Sequence, residues 1–254
     1  MSKHPQPPAS ADDENAFLAA YDAAEFPHPS VTVDVALITV VQRSLRVLLA
    51  RRAAPPQQGR WGLAGSFVGM RETLDEAAAR VVAAKLGLAR IFLEQLCTFG
   101  AVDRDPRTRV ISVAYYALVD AARLERARPA QGELRLCRLD VPWEGERGGP
   151  ARALDEDGSS LPLAFDHAEM LGLVVKRLRG KLDYAPIGFQ LLPRRFTLRE
   201  LQEVHEAVLG RELNKHSFRR SVLARGLVAA TGELERDVPY RPAELFRYAK
   251  PTDT

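Results

Sequence analysis

Cysteine is almost missing from this chain: two thiols in 254 residues, Cys97 and Cys137, with no metal-site spacing between them. That excludes a disulfide framework or a zinc ribbon and suits a reducing compartment. Long apolar runs are missing too. None reaches the roughly 18–20 residues that a membrane span needs. The opening MSKHPQPPAS has no apolar core or processing site, so no secretory signal is expected and the cytoplasm is the expected compartment. Excess charge of one sign is equally scarce. The formal net charge is +3, residues 1–183 balance to zero, and the whole excess lies in the last quarter. A neutral body with a basic tail points to an anionic partner for that tail.

What is present is the ordinary composition of a folded protein, 46% hydrophobic and 27% charged. Residues 1–10 are Pro-rich and polar and are expected to be disordered. Residues 12–25 suit a short helix, stopped by FPHPS, where two prolines cannot continue it. VTVDVALITVV (31–41) is β-branched and apolar, as in a buried strand, and SLRVLLARR (44–52) follows after a tight turn. TLDEAAARVVAAKLGL reads as a helix with Thr73 as N-cap, Asp75 and Glu76 in its first turn and Gly87 at its end. Three extended segments follow, at 91–102, 109–120 and 132–141. RAL…LPLAF is then a hairpin or a surface loop around the turn signal DEDG. FDHAEMLGLVVKRLRGKLDY (165–184) is a helix with Asp166 as its expected N-cap. Strands, one helix and more strands imply an α+β sandwich of helix on mixed sheet.

The last quarter changes character. In FTLRELQEVHEAVLG the apolar positions 198, 201, 204, 208 and 209 keep one helical face, and Thr197 with Glu200 forms a capping box. NKHSFRRSVLARGL is a second helix, whose Phe218, Val222 and Leu223 are expected to face the first. Strand, loop and strand close the chain. Two helices on a short turn followed by a hairpin make a winged helix-turn-helix, whose second helix enters the DNA major groove. A helical dimerisation module with a solvated basic face fits the same pattern.

Residues 65–88, GSFVGMRETLDEAAARVVAAKLGL, resemble the Nudix box, G-x5-E-x7-R-E-U-x-E-E-x-G-U with U apolar. The first glycine falls on Ser66, with Gly65 just before it. The first glutamate is Glu72, the arginine Arg80, the apolar position Val82 and the closing pair Gly87-Leu88. The three glutamates after the arginine fall on Val81, Ala84 and Lys85. Spacing of i, i+3, i+4 would gather three carboxylates on one face to hold Mg²⁺. Valine and alanine carry no donor, and lysine repels a cation. The alternative is a plain amphipathic helix after a glycine loop. WGLAGSFV, FLEQLCTFGAVDRDPRTRVISVAYYALV, FDHAEML, RGKLDYAPIGFQLLP and RPAELFRY carry the resemblance further. Over residues 17–250 the chain is similar to the Nudix-related transcriptional regulators (NrtR).

That resemblance implies a Nudix-like mixed-sheet α/β/α sandwich followed by a winged helix-turn-helix. The expected units are a tail and short helix (1–29), a ligand-sensing domain (30–165), a linker helix and hinge (166–189) and a DNA-binding domain (190–250). It implies a homodimeric repressor of NAD synthesis and salvage genes, released from operator DNA by ADP-ribose or a related nucleotide. Members of the family differ in whether they keep hydrolase activity; Val81, Ala84 and Lys85 at the acid positions imply that this chain has lost it and holds no metal, and neither a cofactor nor a membrane partner is expected. The pair Glu72–Arg80 would brace the loop. Arg51, Arg52, Arg71 and Arg104 would rim the cleft, with Lys85 able to replace the metal at a diphosphate. Trp61, Phe67, Phe99 and Tyr115 would be candidates for stacking on adenine, although core packing is the commoner fate of such residues. DNA contacts would come from Lys215, His216, Ser217, Arg219 and Arg220, with Arg194, Arg195, Thr197 and Arg241 beside them. Two alternatives stand beside this: a regulator sensing a sugar, ATP or NAD with other targets, and an active hydrolase using Asp75, Glu76 or Asp103.

Overall fold

The computed structural model describes residues 11–124, 133–182 and 185–249. The tail expected at 1–10 lies outside these residues. So do the outermost positions of three expected elements, at 132, 183–184 and 250.

The sandwich is built around β1 (Ser30–Val41), whose apolar run is buried on both faces. That is the pattern of a central strand rather than of an edge. It pairs in parallel with β6 (Val110–Leu118) and antiparallel with β2 (Ser44–Arg51) and β4 (Ala64–Phe67). β5 (Phe92–Phe99) extends the sheet beyond β6. On the other side β2 is followed by β7 (Leu134–Asp140), β8 (Arg152–Leu154) and β9 (Ser160–Leu161), with the short β3 (Trp61–Gly62) also on β2. The RAL…LPLAF segment is therefore a hairpin within the sheet.

Alternation along the strands sorts two cores. Val33, Val35, Leu37 and Tyr115 face α2 (Leu74–Leu86), which buries Ala77, Ala78, Val81, Val82 and Leu86 against them. Ala36, Ile38, Ala114 and Tyr116 face α4 (His167–Lys181), with Met170, Leu171, Val174, Val175 and Leu178 fully buried. The segment expected as linker and hinge is thus a packed layer of the sandwich for most of its length. Asp166 occupies the N-cap position of α4 but makes no cap hydrogen bond, because its carboxylate is spent on Arg104. Of the remaining helices before it, α1 (Ala11–Ala20) adds little, since residues 13–29 are exposed, while the single turn α3 (Ala121–Leu124) buries Leu124 in the core on the α2 side.

A 3₁₀ turn, Pro186–Leu191, leads from α4 into α5 (Leu198–Leu209) and α6 (Lys215–Ala224), followed by the wing, β10 (Val228–Leu234) and β11 (Glu244–Tyr248). Phe196, Leu198, Leu201, Val222 and Phe246 form the core of this unit. Thr197 and Glu200 complete the capping box, and Gly210 ends α5 in the left-handed conformation that favours glycine. The two units share more than a hinge. Val204 and Val208 of α5 belong to the same apolar cluster as the α4 face of the sheet. Arg43, in the tight β1–β2 turn, ion-pairs with the buried Glu206 of α5 at 2.5 Å. Arg179 near the end of α4 donates to the Val208 carbonyl at 2.9 Å.

Candidate functional site

The loop before α2 is held by the expected brace. Arg80 donates to both oxygens of Glu72 at 2.6 and 2.8 Å and to the Phe67 carbonyl at 3.1 Å, and the Gly69 N–H donates to Glu72 at 2.6 Å. These bonds, the guanidinium first, hold the Glu72 carboxyl at about 2. Gly65 also has a physical reason. It pairs with Asp34 across β4 and β1, and a Cβ there would lie 2.1 Å from the Asp34 Oδ1. The close approach needs glycine at 65.

Between this loop, the end of β2, the β5–β6 loop and the start of α4 lies a cavity of about 560 Å³. Its floor is Asp34, which accepts from Ser112 Oγ at 2.5 Å. The Leu63 N–H donates to His167 Nδ1 at 3.1 Å, so the proton of this buried ring sits on Nε2, 3.7 Å from Asp34 Oδ1. Burial lowers the His167 pKa, outweighing Asp34 and Asp166, and keeps the imidazole neutral. Arg104 grips Asp166 with two bonds of 2.6 and 2.8 Å. Arg107 grips Asp105 in the same way and lies over the Phe67 ring. Arg52 donates to the Pro56 carbonyl at 2.8 Å and stacks over Phe165. Lys85 donates to the Gly65 carbonyl.

Of the residues expected at the cleft, Arg51, Arg52, Phe67, Lys85 and Arg104 line it. Arg71, Trp61, Phe99 and Tyr115 are not among its lining residues. Trp61 is buried in the α4-side core with Arg135 over its ring. Phe99 packs on the same core, and Arg71 is exposed outside the cleft. Tyr115 is buried under α2, where its hydroxyl donates to Asp75 at 2.6 Å; burial, then this carboxylate, raises its pKa. Asp34, Asp105, Arg107, Phe165 and His167 also line the cleft and were not among the residues expected there. They arrive from elements far apart in the chain; the charged DRDPRT turn and the FDH triplet were the available signals.

The donors around α2 do not suit a divalent cation. Val81 is 1% exposed and belongs to the core, Ala84 has no donor, and Lys85 brings a positive charge to the cleft. Glu76 is engaged in a capping box with Thr73, Asp75 accepts from Tyr115, and Asp103 is exposed on the β5–β6 loop. Among the described residues no group of three or more His, Cys, Asp or Glu is placed to hold a metal ion.

The second basic region is the outer face of α6. At about 3.6 residues per turn, Lys215, His216, Arg219, Arg220 and Leu223 share one arc of the helix. Lys215, His216 and Arg220 are exposed, and Arg219 is half-buried with its Nε lacking a hydrogen-bond partner. Leu223, expected to face α5, is 50% exposed on this arc, while Val222 and Phe218 fill the interior. Ser217 lies on the other side, lining a cavity between α6 and the 3₁₀ turn. Arg194, Arg195 and Arg241 are exposed, and Arg195 pairs with Glu233 of the wing at 2.5 Å. Thr197 is 1% exposed, so its side chain serves the capping box and is withdrawn from any surface contact. Arg199, not expected at this surface, is exposed and stacks over Tyr240 of the wing.

Comparison with known proteins agrees with both halves. Residues 30–150 match the NUDIX domain, and residues 188–248 match the NrtR DNA-binding winged helix domain. The chain is 34% identical over 238 residues to an ADPR-responsive transcriptional repressor, NtrR, of Acinetobacter baylyi, covering 93% of this chain and 88% of that one. The crystal structure of Shewanella oneidensis NrtR in complex with a 27mer DNA is similar at a TM-score of 0.68 and 31% identity, over 86% of this chain and 93% of that one. The NUDIX domain of the same protein in complex with ADP-ribose is similar at a TM-score of 0.52 and 30% identity, over 65% of this chain and 98% of that one.

Proposed function

The chain belongs to the NrtR family of Nudix-related transcriptional regulators, and on that premise we propose that it is a repressor released from its operator by a nucleotide. The winged helix binds double-stranded DNA, and the Nudix-like cleft takes ADP-ribose or a closely related nucleotide as effector. The target genes are those of NAD synthesis and salvage, and the working unit is a homodimer. The cleft binds without hydrolysing, because the α2 face that would carry three carboxylates presents Val81, Ala84 and Lys85 instead. Arg51, Arg52, Phe67, Lys85 and Arg104 form the effector site. On DNA, Lys215, His216, Arg219 and Arg220 meet the major groove, and Arg194, Arg195 and Arg241 meet phosphates.

One observation carries the reading: the wall of the cleft and the support of the DNA helix are the same element. α4 places His167 in the cleft at its start and Arg179 on the end of α5 near its close. A ligand that favours a different seating of α4 therefore alters the footing of α5 and α6. Release follows only if the ligand binds the non-DNA geometry more tightly. A gel shift on an operator duplex obtained by selection from random sequence tests this. Release by ADP-ribose is expected, and a duplex still bound at saturating ADP-ribose would overturn the reading.

A further inference from the structure

The charges in the cleft are not equivalent. Arg104 is matched by Asp166, Arg107 by Asp105 and Arg51 by Glu133, all as ion pairs. Arg52 and Lys85 also line the cavity, yet among the described residues neither is in an ion pair. Each spends its hydrogen bond on a backbone carbonyl, Arg52 on Pro56 and Lys85 on Gly65. Asp34, the acid of the cavity floor, is engaged by Ser112 and lies within 4 Å of Arg104 and His167. Two cations in no ion pair among the described residues thus share a concave site whose floor carboxylate is already engaged. Burial lowers the pKa of each, the neighbouring Arg107 adds to this at Arg52, and Arg52 and Arg80 add to it at Lys85; Asp34 opposes it at both, joined by Asp105 at Arg52. Arg52 is half-buried and Lys85 exposed at the rim, so an anion reaching between them gains two charge-assisted contacts.

We infer that Arg52 and Lys85 form a diphosphate seat that neutralises the bound anion without a metal ion. The inference rests on the nucleotide reading above and gives its chemistry. Lysine stands at a box position where an acid would hold a cation, and here it supplies the positive charge itself. Arg52, held by its bond to Pro56 and its stacking on Phe165 4.7 Å away, offers its remaining N–H groups to the same anion. No bond is made or broken; the site acts by charge and hydrogen bonding alone.

Calorimetric titration of the full chain with ADP-ribose in EDTA, and separately with inorganic pyrophosphate in EDTA, tests this. Both are expected to bind. Arg52→Gln and Lys85→Gln are each expected to weaken binding by about tenfold or more, as befits loss of one charge-assisted contact. Lys85→Arg is expected to keep most of the affinity, which separates lost charge from a damaged fold. Binding of ADP-ribose only when Mg²⁺ is added would overturn the inference. So would wild-type affinity in both glutamine variants, or a Lys85→Arg protein as weak as Lys85→Gln. Pyrophosphate binding that depends on Lys85, with no binding of ADP-ribose, would sustain the seat while removing ADP-ribose as effector. Failure of both probes to bind would remove both.

Discussion

The two basic regions of the molecule carry their charge in opposite ways. In the cleft three of five cations are in ion pairs with carboxylates. On α6, Lys215, His216, Arg219 and Arg220 are in no ion pair among the described residues and three of the four are exposed. A clamped arginine is positioned before its ligand arrives and can discriminate a small rigid molecule. Exposed unpaired charge suits a polyanion, where affinity comes from counterion release and varies with salt. On the proposed reading, recognition of a nucleotide and recognition of DNA draw on cationic side chains in two kinds of surroundings.

The contrast breaks most severely at Arg104. Arg104→Ala leaves Asp166 beside Asp34 with no guanidinium between them, and a loss of about 3–5 kcal/mol of stability is expected from urea denaturation. Next come the α6 variants. Arg219→Ala or Arg220→Ala is expected to cost about 1–3 kcal/mol of operator affinity by fluorescence anisotropy, while ADP-ribose binding holds. Lys215→Ala is expected to lower the slope of log affinity on log salt by about one.

A smaller effect separates contact from scaffold. Thr197→Ala is expected to cost about 1 kcal/mol of stability as a lost cap, with no change in the salt slope of DNA binding. The smallest effect is acid-dependent. The Glu72 carboxyl is held at about 2 by Arg80 and Gly69, below its ordinary value, so its contribution is complete above the unfolded pKa. That contribution fades as pH falls from near 4.5 to 2. Glu72→Gln is expected to flatten that part of the pH–stability curve relative to wild type, measured by thermal melts at low ionic strength.

Element types were legible in the sequence wherever local chemistry decides them. Thr73, Thr197 and Gly87 end their helices as cap chemistry requires, and the apolar run of β1 marks a central strand. Side-chain direction was less legible. Tyr115 and Tyr116 are adjacent, so the pleat must send them to opposite faces, and neither faces the cleft. Trp61 sits on a two-residue strand that pairs with Arg51 of β2 on one side and bridges to Leu163, about a hundred positions away, on the other. Leu223 reads as an inward position by composition, yet helical phase puts it outward with Arg219. The role of α4 was hidden for a related reason: its apolar face suits a packed layer as well as a linker, and only the sheet behind it decides. The Glu72–Arg80 brace and the cation at 85 were readable because the box spacing is local to one loop and helix.

On the proposed reading the cleft senses a nucleotide through protein charge, with Lys85 where an acid would hold a metal. Anisotropy of labelled operator bound to the full chain, titrated with ADP-ribose in EDTA, tests it most directly. Complete release without divalent metal is the expected result. Operator that stays bound in EDTA and is released only on addition of Mg²⁺ would contradict it.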